Sequence, residues 1–119
     1  MTKSPGIFLQ HILESIELIE KRTKNIKFEE FERDIDLQDM IIRRLEIIGE
    51  AVKNLPKEFL KNYSHVNWQN PADMRNVLIH AYFDVDLRVV WDTIVNDLPP
   101  FKQQIQKLLQ DFNLSEGNQ

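Results

Sequence analysis

No cysteine occurs in the 119 residues, which removes disulfides, thiolate metal sites and cysteine nucleophiles at once and leaves no mark of an oxidising compartment. Glycine is scarce, with three residues in all, and they form no phosphate-cradling loop. A Gly-x-Ser-x-Gly elbow, a His-Glu-x-x-His helix and paired metal-ligand spacings are missing as well, so no metal and no cofactor is expected. Long apolar runs are also lacking. The stretch after Met1-Thr2-Lys3-Ser4-Pro5 is soon broken by Gln10, His11 and Glu14, too polar for a signal-peptide core or a membrane span. A cytoplasmic protein without membrane attachment is expected. Basic charge is in deficit: 15 Lys and Arg stand against 19 Asp and Glu, a net charge of −4. That balance argues against broad, non-specific nucleic-acid binding but leaves room for a local basic site that grips a few phosphates.

What is present is helical pattern. A chain that is 42% hydrophobic and 29% charged suits one folded core, and its length predicts a single domain over residues 1–114, with a disordered tail at 115–119. Ser4-Pro5 opens a first amphipathic helix carrying Leu9, Ile12, Ile16 and Ile19 and ending near Lys24. The segment from Lys27 to Asp39 is rich in acids, with Phe28 and Phe31 interleaved. It suggests a carboxylate site for a divalent ion, but an exposed connector leading into a helix is the simpler expectation. Leu37, Ile41, Leu45, Ile48, Val52 and Leu55 then trace one face of a long helix that stops before Pro56. Gly49 inside it lowers helix propensity by about 1 kcal/mol relative to alanine, so close approach of a neighbouring helix is its expected use. Residues 56–70 predict a short helical turn and a loop. Asn70-Pro71 with Asp73 marks the next start, with Asn70 as cap, for a helix running to about Tyr82. Asp86 begins another, with Leu87, Val90, Trp91, Ile94 and Leu98 on its buried face, ended by Pro99-Pro100. Phe101, Ile105, Leu108 and Phe112 face the core from the last helix. With no strand-like alternation, the fold class is all-α, an antiparallel bundle of about five helices.

Three histidines are candidates for chemistry. His11 is expected at the edge of the core and His65 in an exposed loop. His80 stands apart, because Arg75, Asn76, His80 and Tyr82 crowd a cation, an amide, an imidazole and a phenol into one short helix. At about 100° per residue, Arg75 and Tyr82 point nearly the same way, whereas His80 lies about 140° round from Arg75. Two arrangements bring them together: a helix that loosens after Ile79, or a twofold dimer whose motif helices face each other across a cleft. RNA carries its own nucleophile, the 2′-hydroxyl, so a base, an acid and a cation suffice for cleavage, and imidazole suits the proton transfers. Arg43, Arg44, Lys53, Lys57 and Lys61 could form a basic rim, although scattered helix cations are more often simply solvated.

At these residues the sequence resembles the HepT-like branch of the HEPN ribonucleases, whose signature is Arg, a polar residue, three to five further residues and His, with Tyr two positions on. Arg44-Leu45-Glu46-Ile47-Ile48-Gly49-Glu50-Ala51 and the stretch from Asp86 through Trp91 to Pro99 extend the likeness over roughly residues 28 to 112. The resemblance implies a homodimeric helical bundle acting as a toxin: a metal-independent endoribonuclease that leaves a 2′,3′-cyclic phosphate and a 5′-hydroxyl, with tRNA or mRNA as target. Arg75 and His80 would be catalytic and Asn76 supporting. It further implies a minimal nucleotidyltransferase antitoxin as partner, which transfers AMP to the tyrosine of the motif, here Tyr82. The competing expectation is a non-catalytic helical subunit that holds substrate or nucleotide for a nucleotidyltransferase complex, and a third is a structural dimer without ligand.

Overall fold

The computed structural model describes the backbone of residues 4–80 and 85–117 and, within these, every side chain except those of 79, 80 and 113–117. Helix α1 (Pro5–Thr23) starts where the sequence places it, with Ser4 Oγ accepting from the Gly6 amide at 3.3 Å and proline at the first helical position. Its stripe of Leu9, Ile12, Ile16 and Ile19 is fully buried. The acidic segment folds into a short helix, α2 (Phe28–Arg33), and then α3 (Ile35–Asn54). Asp34 sits at the joint between them, its Oδ1 accepting from the Leu37 amide at 3.1 Å, while Gln38 Nε2 donates to the carbonyls of Phe31 and Glu32 at the end of α2. The connector is thus only partly exposed as expected: Phe31 is fully buried and stacks on Trp91 at 5.2 Å between ring centroids. Among the described residues no three acidic or histidine side chains converge as metal ligands would.

Helix α3 buries Leu37, Ile41, Leu45, Ile48 and Val52, in register with the sequence expectation, and lies between α1 on one side and a later helix, α5 (Gln69–His80), on the other. A short α4 (Lys57–Asn62) and a turn connect them, and Trp68 is held there by its Nε1 donating to the Tyr63 carbonyl at 3.0 Å. The start of α5 differs from expectation. Asn67, three residues earlier than the predicted cap, supplies the oxygen that accepts from the Asn70 amide at 3.3 Å, and the helix begins before Pro71. Pro71 still falls in the first turn, where its missing N–H leaves no bond unmade.

The second difference concerns Pro99-Pro100, which does not end a helix. Helix α6 (Leu87–Asp92), capped by Asp86 Oδ1 on the amides of Arg88 and Val89, runs through a π-helical turn, Thr93–Asp97, directly into α7 (Leu98–Gly117). The Leu98 amide donates to the Thr93 carbonyl, five residues back. That wider turn opens a fresh first turn in which two successive residues can lack an N–H. The carbonyls left over belong to the exposed Val95 and Asn96, on the side of the helix that solvent can reach. The three segments, 6, 5 and 20 residues long, make one rod of roughly 45 Å at 1.5 Å per residue, which accounts for the molecule's long axis of 50 Å. The rod lies along α1, buries Val90, Ile94, Leu98, Phe101, Ile105 and Leu108, and is tied to α1 by Lys102 Nζ donating to Glu20 Oε1 at 2.6 Å. The described chain is all-α, with backbone helical through Gly117, and none of its helices is long and apolar enough to cross a membrane.

Candidate active site

The geometry of the motif begins at a glycine. An alanine Cβ at Gly49 would stand 2.4 Å from Arg75 Cβ and 2.7 Å from the Pro71 carbonyl oxygen, so α3 and α5 approach more closely at this point than any side chain at 49 would allow. The absent side chain at 49 is what allows the aliphatic stem of Arg75 to lie against α3. One turn further along the same face of α3 stands Lys53. Its Nζ donates to Asn76 Oδ1 at 3.2 Å, and the same oxygen accepts from an Arg75 guanidinium nitrogen at 3.3 Å. A single neutral carbonyl thus takes two cations.

That arrangement is electrostatically incomplete. The ion pairs of the described residues are Arg43 with Glu46 and Glu50, and Lys102 with Glu20, so neither Arg75 nor Lys53 has a carboxylate within reach among them. The acids nearest in sequence are engaged elsewhere, Glu50 with Arg43 at 3.8 Å and Asp73 with Gln69 at 2.7 Å. Arg75 Nε is buried and has no hydrogen-bond partner among the described residues, a condition that costs about 1–3 kcal/mol for a polar donor and more for a charged one. Two like charges near one acceptor also repel, by about 1 kcal/mol at 4 Å in bulk water and several times that beside a protein surface. An anion bound here would relieve both penalties, and a phosphate offers the oxygens that a guanidinium and an ammonium prefer.

Of the residues singled out from the sequence, the structure brings Arg75 and Asn76 together. His80 lies on the same helix, which is regular through it, so its Cα lies about 140° round the axis from that of Arg75. Its side chain, and the whole of Tyr82, lie outside the described residues. His65 is exposed as expected, and His11 is exposed too, not at the core edge. Lys53 is the residue that sequence reading passed over, grouped with four other cations as a solvated rim. The available signal was its spacing of four from Gly49. Behind this cluster a separate cavity of about 500 Å³ opens between α3, α5, the π turn and α7, lined by apolar residues such as Leu45, Ile48, Met74, Val77 and Phe101. Arg75, Asn76 and Lys53 contribute nothing to its wall, so the roomy apolar space and the cationic cluster lie apart. Recognition of a phosphodiester belongs to the cluster, because it requires charge.

Fold and cluster together define the class: an all-α, HEPN-like domain with an unneutralised pair of cations, one on the helix that carries the Arg-to-His motif and one on its neighbour α3. The chain belongs to the ribonuclease HepT-like family, whose model matches residues 12–108. Among curated proteins it is 47% identical over 108 residues to the "Probable ribonuclease HepT" of Thermococcus cleftensis, covering 91% of this chain and 98% of that one. The same identity over 108 residues links it to a "Putative RNase" of Caldanaerobacter subterraneus subsp. tengcongensis, covering 91% of this chain and 96% of that protein. A longer protein of Methanocaldococcus jannaschii, named "Gamma-glutamylcyclotransferase and putative RNase", is 47% identical over 118 residues. This chain spans 53% of that protein's length. No solved structure matches. Membership of this family supports a ribonuclease function.

Proposed function

We propose that the protein is a metal-independent endoribonuclease toxin of a toxin–antitoxin pair that cleaves RNA, tRNA or mRNA, at a cleft between two copies of the chain. The observation that carries this reading is the Arg75 guanidinium, its stem against Gly49 and its head on Asn76, without a carboxylate partner among the described residues, on the helix that also carries His80, in a chain of the ribonuclease HepT-like family. In the proposed step the 2′-oxygen of a ribose bonds to the adjacent phosphorus and the bond from phosphorus to the 5′-oxygen breaks. The products are a 2′,3′-cyclic phosphate and a 5′-hydroxyl. His80 moves a proton, as base at the 2′-oxygen or as acid at the departing 5′-oxygen, and Arg75 neutralises charge on the phosphorane. Asn76 orients Arg75.

A dimer is one arrangement that would join the two groups. With Arg75 and His80 about 140° apart on one regular helix, the arginine of one copy can meet the histidine of the other when two motif helices face each other. Val77, on the same helix, is 59% exposed, and Val89 is 47% exposed; both line the mouth of the apolar cavity, a surface that a second copy would cover. The antitoxin of this proposal is a minimal nucleotidyltransferase that transfers AMP to Tyr82. The added phosphodiester charge and bulk would then stand where substrate phosphate binds.

Purified protein is expected to cut RNA in excess EDTA and to leave cyclic phosphate termini, with Arg75→Ala and His80→Ala each reducing the rate by at least about 100-fold, the usual scale for a proton-transfer or charge-stabilising group. Cleavage that survives His80→Ala would place the chemistry elsewhere. No cleavage at all would favour a helical binding subunit of a nucleotidyltransferase complex. Intact mass after co-expression with the antitoxin is expected to rise by whole AMP units in the wild type and not in Tyr82→Phe.

A further inference from the structure

We infer that Lys53 of α3 is a second phosphate-binding cation of the active site, paired with Arg75 through the carboxamide of Asn76. The inference rests on the reading of Arg75 as a phosphate clamp and extends the site from the motif helix to its neighbour.

Asn76 is the hinge of the argument. Its Oδ1 accepts from Lys53 at 3.2 Å and from Arg75 at 3.3 Å, so the two positive charges can stand no further apart than those two bonds allow, and the amide Nδ2 is left as a third donor. An asparagine carbonyl holds cations in place without cancelling them. A carboxylate there would neutralise one of the two charges and leave a weaker grip on an incoming anion. The acids that could serve as internal counter-charges are turned away, Glu50 toward Arg43 and Asp73 toward Gln69. In a chain of net charge −4, two cations held against one neutral oxygen concentrate positive charge locally, and a local concentration of this sign attracts phosphate.

The division of labour follows from exposure. Arg75 is half-buried, its stem fixed against Gly49 and its Nε out of solvent. Lys53 is exposed, a flexible ammonium at the outer side of the same cluster. A fixed fork suits the phosphate at which bonds change, and a mobile point charge suits a neighbouring phosphate that positions the strand. Lys53 is therefore a positioning residue, expected to act on binding and not on the chemical step.

The test uses the full chain and a single-stranded 2′-O-methyl oligoribonucleotide, which cannot be cleaved because its 2′-oxygen is blocked. In about 0.1 M salt, Lys53→Gln is expected to weaken binding roughly tenfold and to lower the slope of log affinity against log salt by about 0.7, the loss of one phosphate contact on a single strand. Lys53→Arg should retain both. Lys107→Gln, the same charge change at an exposed position of α7, should stay within about twofold of wild type at this ionic strength, because screening removes most of the influence of a distant charge. With a cleavable RNA, Lys53→Gln should raise KM by a similar factor and leave kcat within about twofold, as loss of uniform binding requires. Binding of the Lys53→Gln protein within twofold of wild type, equal losses in Lys53→Gln and Lys107→Gln, or no binding by the wild type would each overturn the inference. Failure of the nuclease reading gives a different result: the wild type leaves cleavable RNA intact while its grip on the blocked oligonucleotide still depends on Lys53.

Discussion

Gly49 shows how much one missing methyl group decides. An alanine there gains about 1 kcal/mol of helix propensity, but its Cβ would meet Arg75 Cβ at 2.4 Å and a backbone oxygen at 2.7 Å, neither of which is the free end of a flexible side chain. Overpacking of this kind costs about 1–3 kcal/mol, so Gly49→Ala is expected to be less stable by about 1–2 kcal/mol in urea unfolding and to cleave RNA more slowly. A variant as stable as wild type would show that α3 and α5 separate easily. At this scale the sequence was informative about Gly49, whose position inside a helix already demanded a close neighbour, and about Arg75 and Asn76, which stand side by side in a recognisable run. It did not single out Lys53 from the five cations of the candidate basic rim. A single exposed lysine has no periodicity to betray it, and its partner Asn76 lies 23 residues away, a separation that only packing of two helices can close.

At the scale of elements, apolar periodicity located α1, α3 and the rod well, because a buried stripe leaves a repeat that solvent-facing residues cannot imitate. Local rules did worse at the joints. Asn70 looked like the cap of α5, yet Asn67 supplies the oxygen, since which of two nearby asparagines caps depends on how the preceding loop is held. Two prolines predicted a stop, yet the π turn before them restarts the helix, an event set by the core that Leu98, Phe101 and Ile105 must reach. The bond between Lys102 and Glu20 fastens this rod to α1. The Glu20 carboxylate, as hydrogen-bond partner, holds the Lys102 ammonium above the ordinary lysine pKa of 10.5, against a smaller opposing effect of burial. A raised pKa in the folded protein means that the pair stabilises the fold fully below pH 10.5 and loses that contribution as pH rises through the folded value. Both side chains are partly exposed, so Lys102→Met is expected to cost about 0.5 kcal/mol at pH 7. The difference from wild type should shrink toward zero in thermal unfolding at strongly alkaline pH. A difference that grows with alkalinity would contradict the sign of this coupling.

At the scale of the whole molecule, the question is whether one chain or two make a site. Light scattering is expected to give twice the 14.2 kDa chain mass. Co-refolding Arg75→Ala with His80→Ala is the sharper measurement: half of a random mixture is heterodimer, and each heterodimer holds one site with both groups intact, so about a quarter of wild-type activity should return. A mixture as inactive as either parent would place Arg75 and His80 in the same subunit. In the sequence the expectation of a dimer rested on the family resemblance and on a geometric conflict, the angle between two residues on one helix. A regular α5 backbone as far as His80 keeps that conflict in place, and the mixing experiment decides between one subunit and two.

The two tryptophans divide the molecule in a way that experiment can use. Trp68 is wedged at the joint between α4 and α5, against Phe59 and Phe101, whereas Trp91 stacks on Phe31 beside Phe28, where α2 meets α6. The chain contains no other indole. Replacing either with phenylalanine leaves a single intrinsic fluorophore: one whose emission reports on the joint where the motif helix begins, the other on the far anchor of the long rod. Motions at these two packing sites can thus be followed separately by light, without attaching a dye.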